Sequence, residues 1–141
     1  MNKSLEPFIG CVDGASRSTQ NLSFVAWAIF APGGELVSFQ GICIGWSKNN
    51  IVEYNALIEL LSDSISFGIN HIIITLDSQL VVLQLTSFYT VRNPTLHRMF
   101  LRVQLLEGHF DFIQYQHISR NLNTLTDSLA NQVFDRHFQH M

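Results

Sequence analysis

Charge is scarce in this chain: of its 141 residues only 13% are Asp, Glu, Lys or Arg, and the formal net charge is −3. Proteins that coat nucleic acid usually carry a basic excess, so any nucleic-acid role has to come from local site chemistry, with weak and salt-sensitive binding. Cysteine is scarcer, at two residues. Cys11 and Cys43 lie in separate apolar runs with no second cysteine or histidine at metal-ligand spacing, which favours buried free thiols over a disulfide or a zinc site. The six histidines are dispersed, and only His137 and His140 share a helical face. No apolar run approaches the roughly 18 to 20 residues of a membrane span, and the first residues lack the apolar stretch of a signal peptide. Repeats and low-complexity segments are absent too, so a soluble, intracellular protein with no membrane partner is expected.

Hydrophobic residues make up 47% of the chain, enough for one compact core, and residues 1–141 are expected to form one domain. Pro7–Val12, Leu22–Phe30 and Glu35–Ile44 read as strands joined by a polar turn at Arg17–Asn21 and by Ala31-Pro32-Gly33-Gly34, an antiparallel meander. From Asn50 to Phe67 the period turns helical, with Glu53, Ala56, Leu57, Leu60, Leu61 and Ser64 on one stripe, and Gly68 stops the helix. His71–Leu76 is a β-branched run suited to a central strand buried on both faces. Ser78–Leu85 and Pro94–Glu107 read as helices, Phe110–His117 as a strand and Asn123–Phe138 as a last helix. The order βββαβααβα predicts an α/β fold with a mixed five-stranded sheet, the meander plus two parallel strands, and helices on both faces.

Four carboxylates occupy positions where burial is costly unless they are paired, hydrogen-bonded or bound to metal. Asp13 and Asp77 close the first and fourth strands, Glu53 lies on the apolar stripe of the first helix, and Asp127 shares a stripe with Ala130, Asn131 and Phe134. Parallel pairing of the first and fourth strands would bring the first two together. Convergence of all four suggests a divalent-cation site.

These segments resemble the type 1 ribonucleases H. Asp13-Gly-Ala-Ser, Asn49-Asn50-Ile-Val-Glu53, Asp77-Ser-Gln79 and Asn123-Thr-Leu-Thr-Asp127 look like the four signature segments of that family, in order and over almost the whole chain. The wording around Asp77–Thr86, Val91–Pro94 and His117–Asn123 is similar to the compact archaeal-type branch, also found in bacteria and in plant retrotransposon polyproteins. The resemblance implies the ribonuclease H-like fold and a metal-dependent endoribonuclease that cuts the RNA strand of RNA–DNA hybrids. It implies two Mg2+ ions, replaceable by Mn2+, held by Asp13, Glu53, Asp77 and Asp127, and products with 5′-phosphate and 3′-hydroxyl ends. Substrate contacts would come from Asn49, Asn50, Ser78, Gln79, Arg120 and Asn123, because amides and hydroxyls can read ribose 2′-hydroxyls. As an isolated domain it is expected to be monomeric. The alternative is a weakly active or inactive nucleic-acid-binding or structural module of a reverse-transcriptase-type protein.

Other residues have plainer readings. Asn49-Asn50 can serve as a helix N-cap pair as well, and Ser78 as an N-cap whatever the function. Glu59 and Asp63 are expected to be solvated, and Glu35, Glu107 and Asp111 to sit at turns. Arg17 is either a loop charge or a phosphate contact. Trp46, Phe88 and Tyr89 either stack on the substrate or pack in the core. His117 either ends the last strand or assists product release. The sequence departs from the family at Arg17–Asn21, where a glycine-rich turn is usual, at Phe24–Trp27 and at Thr126, and it lacks a basic protrusion between Gln84 and Pro94.

Overall fold

The computed structural model describes residues 6–119. Strand β1 spans Phe8–Arg17, β2 Leu22–Phe30 and β3 Leu36–Gly45; helix α1 spans Asn49–Ser66, β4 His71–Leu76, α2 Gln79–Leu85, α3 Pro94–Glu107 and β5 Phe112–His117. The sheet order is β3-β2-β1-β4-β5. β1 and β3 each pair antiparallel with β2, while β4 runs parallel to both β1 and β5, which is the mixed sheet expected. The helix expected after Asn123 lies outside the described residues, together with Arg120, Asn123 and Asp127.

The β2–β3 hairpin closes where Gly34 donates to the Ala31 carbonyl at 2.8 Å and Ala31 to the Glu35 carbonyl at 2.8 Å, so Glu35 does sit at the turn. After β3 the α1 stripe reads as expected, with Glu53, Ala56, Leu57, Leu60, Leu61 and Ser64 all buried. Leu57, Leu60 and Leu61 are fully closed off from solvent, and each contributes about 1.5–3 kcal/mol through burial. Helix α1 lies against β1, β2 and α3, which centres the core on one face of the sheet. It stops at Gly68, whose φ of +74° is strained for any residue with a Cβ. No helix among the described residues is long and apolar enough to cross a membrane.

Several local expectations are corrected. β1 continues past Val12 to Arg17, because antiparallel pairing with β2 runs on to Arg17–Leu22 after the ladder to β4 has ended at Cys11–Thr75. Asp13 therefore lies within a strand rather than at its end. On β4, Ile72, Ile74 and Leu76 are fully buried, whereas Ile73 and Thr75 on the alternate face are half-buried. Asp63 is not solvated: its Oδ2 accepts from Trp27 Nε1 at 3.0 Å and from Ser38 Oγ at 2.8 Å. Ten residues beyond Glu53, it is rotated about 80° off the core stripe, which aims it at β2 and β3. Glu59 is half-buried. Glu107 ends α3 directly before the Gly108–His109 turn, as expected, and also accepts from Tyr115 Oη at 2.6 Å. Trp46, Phe88 and Tyr89 are 44%, 77% and 54% exposed and do not join the core. Cys11 and Cys43 are free thiols, half-buried rather than fully enclosed.

Candidate active site

The site forms where the parallel ladder runs out. The β1–β4 register pairs Cys11 with Thr75, so two residues on, Asp13 stands level with Asp77 at the carboxyl end of the paired strands. That end is where open α/β sheets present ligand crevices. Asp77 follows the last residue of β4, and the chain turns at once into α2, whose first turn is capped by Ser78 Oγ accepting from the Val81 amide at 3.3 Å. The cap reading of Ser78 is thereby confirmed. The third carboxylate comes from across the sheet. Close approach of α1 to β1 makes this possible: a Cβ on Gly14 would collide with Val52 Cγ1, the neighbour of Glu53. Only glycine lets the helix lie that near to Asp13.

A cleft of about 470 Å³ opens here, lined by Gly14, Ala15 and Ser16 of β1, Asn49, Asn50 and Glu53 of α1, and Asp77 and Ser78 beyond β4. Asp13, next in sequence to the lining residue Gly14, is 1% exposed, and Glu53 is 6% exposed. Both carboxylate oxygens of Asp13, Oε1 of Glu53 and Oδ2 of Asp77 are individually closed to solvent. Concentrating acid groups in an enclosed place is unfavourable on desolvation and like-charge grounds, and a cation would relieve both. The donor set, made of carboxylates with neighbouring amides and a hydroxyl, consists of hard oxygens and fits a magnesium-like ion. Among the described residues no three His, Cys, Asp or Glu side chains come close enough to hold a metal by themselves.

The remaining predicted residues divide. Asn49 and Asn50 line the cleft, but the cap reading fails: the N-cap is Lys48, which makes no side-chain cap bond, and both asparagines are already helical. Gln79 opens α2, is exposed and is not part of the cleft lining. Arg17 is half-buried, one residue past the lining residue Ser16. His117 is the last residue of β5, paired with Leu76, and is exposed. Three members of the lining, Gly14, Ala15 and Ser16, were not foreseen; had β1 been extended beyond Asp13, these residues would have been carried along the strand into the cleft wall.

A model of the reverse transcriptase-like family matches residues 11–133. Over 123 residues the chain is 37% identical to ribonuclease HI of Halobacterium salinarum, covering 87% of this chain and 62% of that protein. The crystal structure of ribonuclease H1 from the same halophilic archaeon superposes with a TM-score of 0.86 at 36% identity, covering 92% of this chain and 98% of that one. The N-terminal ribonuclease H domain of a Mycobacterium tuberculosis protein, solved as a fusion with maltose-binding protein, gives a TM-score of 0.86 at 28% identity over 95% of this chain and 97% of that one. In the full-length bifunctional protein of that organism, the match covers only 34% of the sequence at 36% identity. LC11 ribonuclease H1, solved in complex with an RNA/DNA hybrid, superposes with a TM-score of 0.84 at 27% identity, covering 93% of this chain and 99% of that one. The chain thus spans about 62% of the halobacterial relative and 34% of the mycobacterial one.

Proposed function

Since the chain belongs to the reverse transcriptase-like family, with the ribonuclease H-like fold, we propose that it acts as one domain and is a metal-dependent endonuclease hydrolysing the RNA strand of RNA–DNA hybrids. The observation that carries this reading is the register of β1 and β4, which continued two residues past Cys11 and Thr75 sets Asp13 level with Asp77, a residue that lines the cleft together with Glu53. Asp13, Glu53, Asp77 and Asp127 would hold two Mg2+ ions, with Mn2+ as a substitute. When bound, the ions would activate the attacking water and neutralise charge on the leaving 3′-oxygen.

The chain's own groups have separate tasks. Asn49 and Asn50, on the rim, donate and accept hydrogen bonds and so can distinguish a ribose 2′-hydroxyl from a deoxyribose. Ser78 completes that rim, although its hydroxyl already accepts the Val81 amide. Arg120 and Asn123 are proposed to approach the phosphate, and Gln79 to read a base edge. Burial of Asp13 and Glu53 keeps bulk water from these carboxylates, which strengthens charge interactions made there. Water attacks at phosphorus and the 3′-oxygen leaves, so the fragments carry 5′-phosphate and 3′-hydroxyl ends.

A second reading, a binding module of low turnover, draws on the net charge of −3. End-group analysis of a digested hybrid separates the two. The enzyme reading expects fragments that ligate through a 5′-phosphate; an intact RNA strand at stoichiometric protein and millimolar magnesium favours the module.

A further inference from the structure

The two walls of the cleft are tied together by a ring of hydrogen bonds. Ser16 lies on β1 and faces the cleft, Ser23 is its partner in the β1–β2 ladder and is fully buried, and Ser47 sits in the short link between β3 and α1, two residues before Asn49. The Ser47 amide donates to Ser23 Oγ at 2.9 Å, and Ser16 Oγ donates to the Ser47 carbonyl at 2.8 Å. The two hydroxyls are 2.8 Å apart.

Each hydroxyl carries a single proton, which fixes the direction of the ring. With the Ser16 proton committed to the Ser47 carbonyl, the proton between the hydroxyls comes from Ser23, and Ser23 accepts from the Ser47 amide. The bonds leave the Ser47 backbone at N–H and return to it at C=O. The alternative has Ser23 donating to the Ser47 carbonyl across 3.4 Å, and it leaves the Ser16 and Ser47 oxygens 2.8 Å apart with no proton between them. Bonds that run in one direction polarise one another, and a buried member left without its partner is costly.

We propose that Ser23 is a positioning residue for substrate recognition: through this ring it holds the Asn49–Asn50 rim at a fixed separation from the Gly14–Ser16 wall. Helix α1 has no side-chain cap at Lys48 to set where it begins, so the ring supplies the anchor just upstream. Glu53 follows one turn later and is carried by the same anchor. The inference rests on the reading of the cleft as a hybrid site and adds to it a residue that touches no substrate.

The test compares dissociation constants for an RNA–DNA hybrid and a DNA duplex of the same sequence, with magnesium, in an Asp77→Asn background that binds without cutting. The background protein is expected to prefer the hybrid. Adding Ser23→Ala is expected to reduce that preference about three- to tenfold, the range a lost neutral hydrogen bond commands, with duplex affinity nearly unchanged. Ser16→Ala breaks the ring at its half-buried member and is expected to do the same. A folded Ser23→Ala protein with undiminished preference overturns the proposal; should that protein fail to fold, undiminished preference in Ser16→Ala does so. If the background protein itself shows no preference, the reading of the site fails, and this inference with it.

Discussion

Gly14→Ala is the substitution most informative about how the cleft is built. In an ordinary strand position alanine is worth about 0.5–1 kcal/mol over glycine, because it restricts the unfolded chain. At Gly14 the added methyl would fall inside contact distance of Val52 Cγ1, and Val52 is 1% exposed and has nowhere to go. Overpacking of this kind costs about 1–3 kcal/mol, so the clash wins and the variant is less stable by about 1–2 kcal/mol. The greater effect is expected on activity. Relief of the clash moves the first turns of α1 away from β1 and displaces Glu53 relative to Asp13. A shift of about 1 Å at a catalytic centre reduces rates by roughly 10²-fold. Val52→Ala alone costs about 1.6 kcal/mol for two methyls plus a cavity term, but in the double variant it removes the atom that collides. Urea denaturation and cleavage of a labelled hybrid, run on all four proteins, give the coupling between the sites, expected at about 0.5–3 kcal/mol. A Gly14→Ala protein with wild-type stability and rate, or a double variant that recovers neither, refutes the argument.

Removal of Asp63 tests the link between α1 and the outer strands. Asp63→Ala deprives the Trp27 indole and the Ser38 hydroxyl of their acceptor, and is expected to cost about 1–3 kcal/mol by chemical denaturation while cleavage of the hybrid continues. Tyr54 and Tyr115 give a pH signature: burial first of all pushes both phenols up, and at Tyr115 the Glu107 carboxylate adds to the shift. Their folded-state pKa values lie above the unfolded value of about 10, so the stability they contribute is complete below about pH 10 and is lost as pH rises beyond it, at up to about 1.4 kcal/mol per pH unit for each phenol. Tyr115→Phe is expected to flatten that loss; an unchanged slope in pH-dependent unfolding would contradict it. Asp13→Asn removes a charge from a 1% exposed position, and is expected to abolish cleavage without lowering the melting temperature in metal-free buffer. A melting temperature lowered along with the activity would assign Asp13 a structural role.

Local pattern was enough for the bounds of β2, β4 and α3, since each is a strong period closed by turn residues. It failed for β1, where Asp-Gly-Ala-Ser reads as a strand end until the partner strand supplies the ladder. Asp13, Glu53 and Asp77 were legible because charge on an apolar stripe or run is anomalous in itself. Asp63 was not, because off the stripe it looks like any solvated helix acid, and its two partners lie 36 and 25 residues away. The serine ring is invisible for the same reason: Ser16, Ser23 and Ser47 share no period and meet only through the β1–β2 register and the β3–α1 link. Phe88 and Tyr89 had ordinary core credentials, and only the α2–α3 connection leaves them outside.

One measurement tests the cleft most directly: cleavage of a hybrid labelled in its RNA strand, by wild-type protein and by Asp77→Asn prepared alongside it, with magnesium and with EDTA. The expected result is RNA-strand cleavage by the wild type in magnesium alone, with single-stranded RNA and duplex DNA cut far more slowly and with no cleavage by the variant. Cleavage that persists in EDTA, or that Asp77→Asn performs at the wild-type rate, would contradict the claim that this cleft is a metal-dependent site for hydrolysing RNA in hybrids.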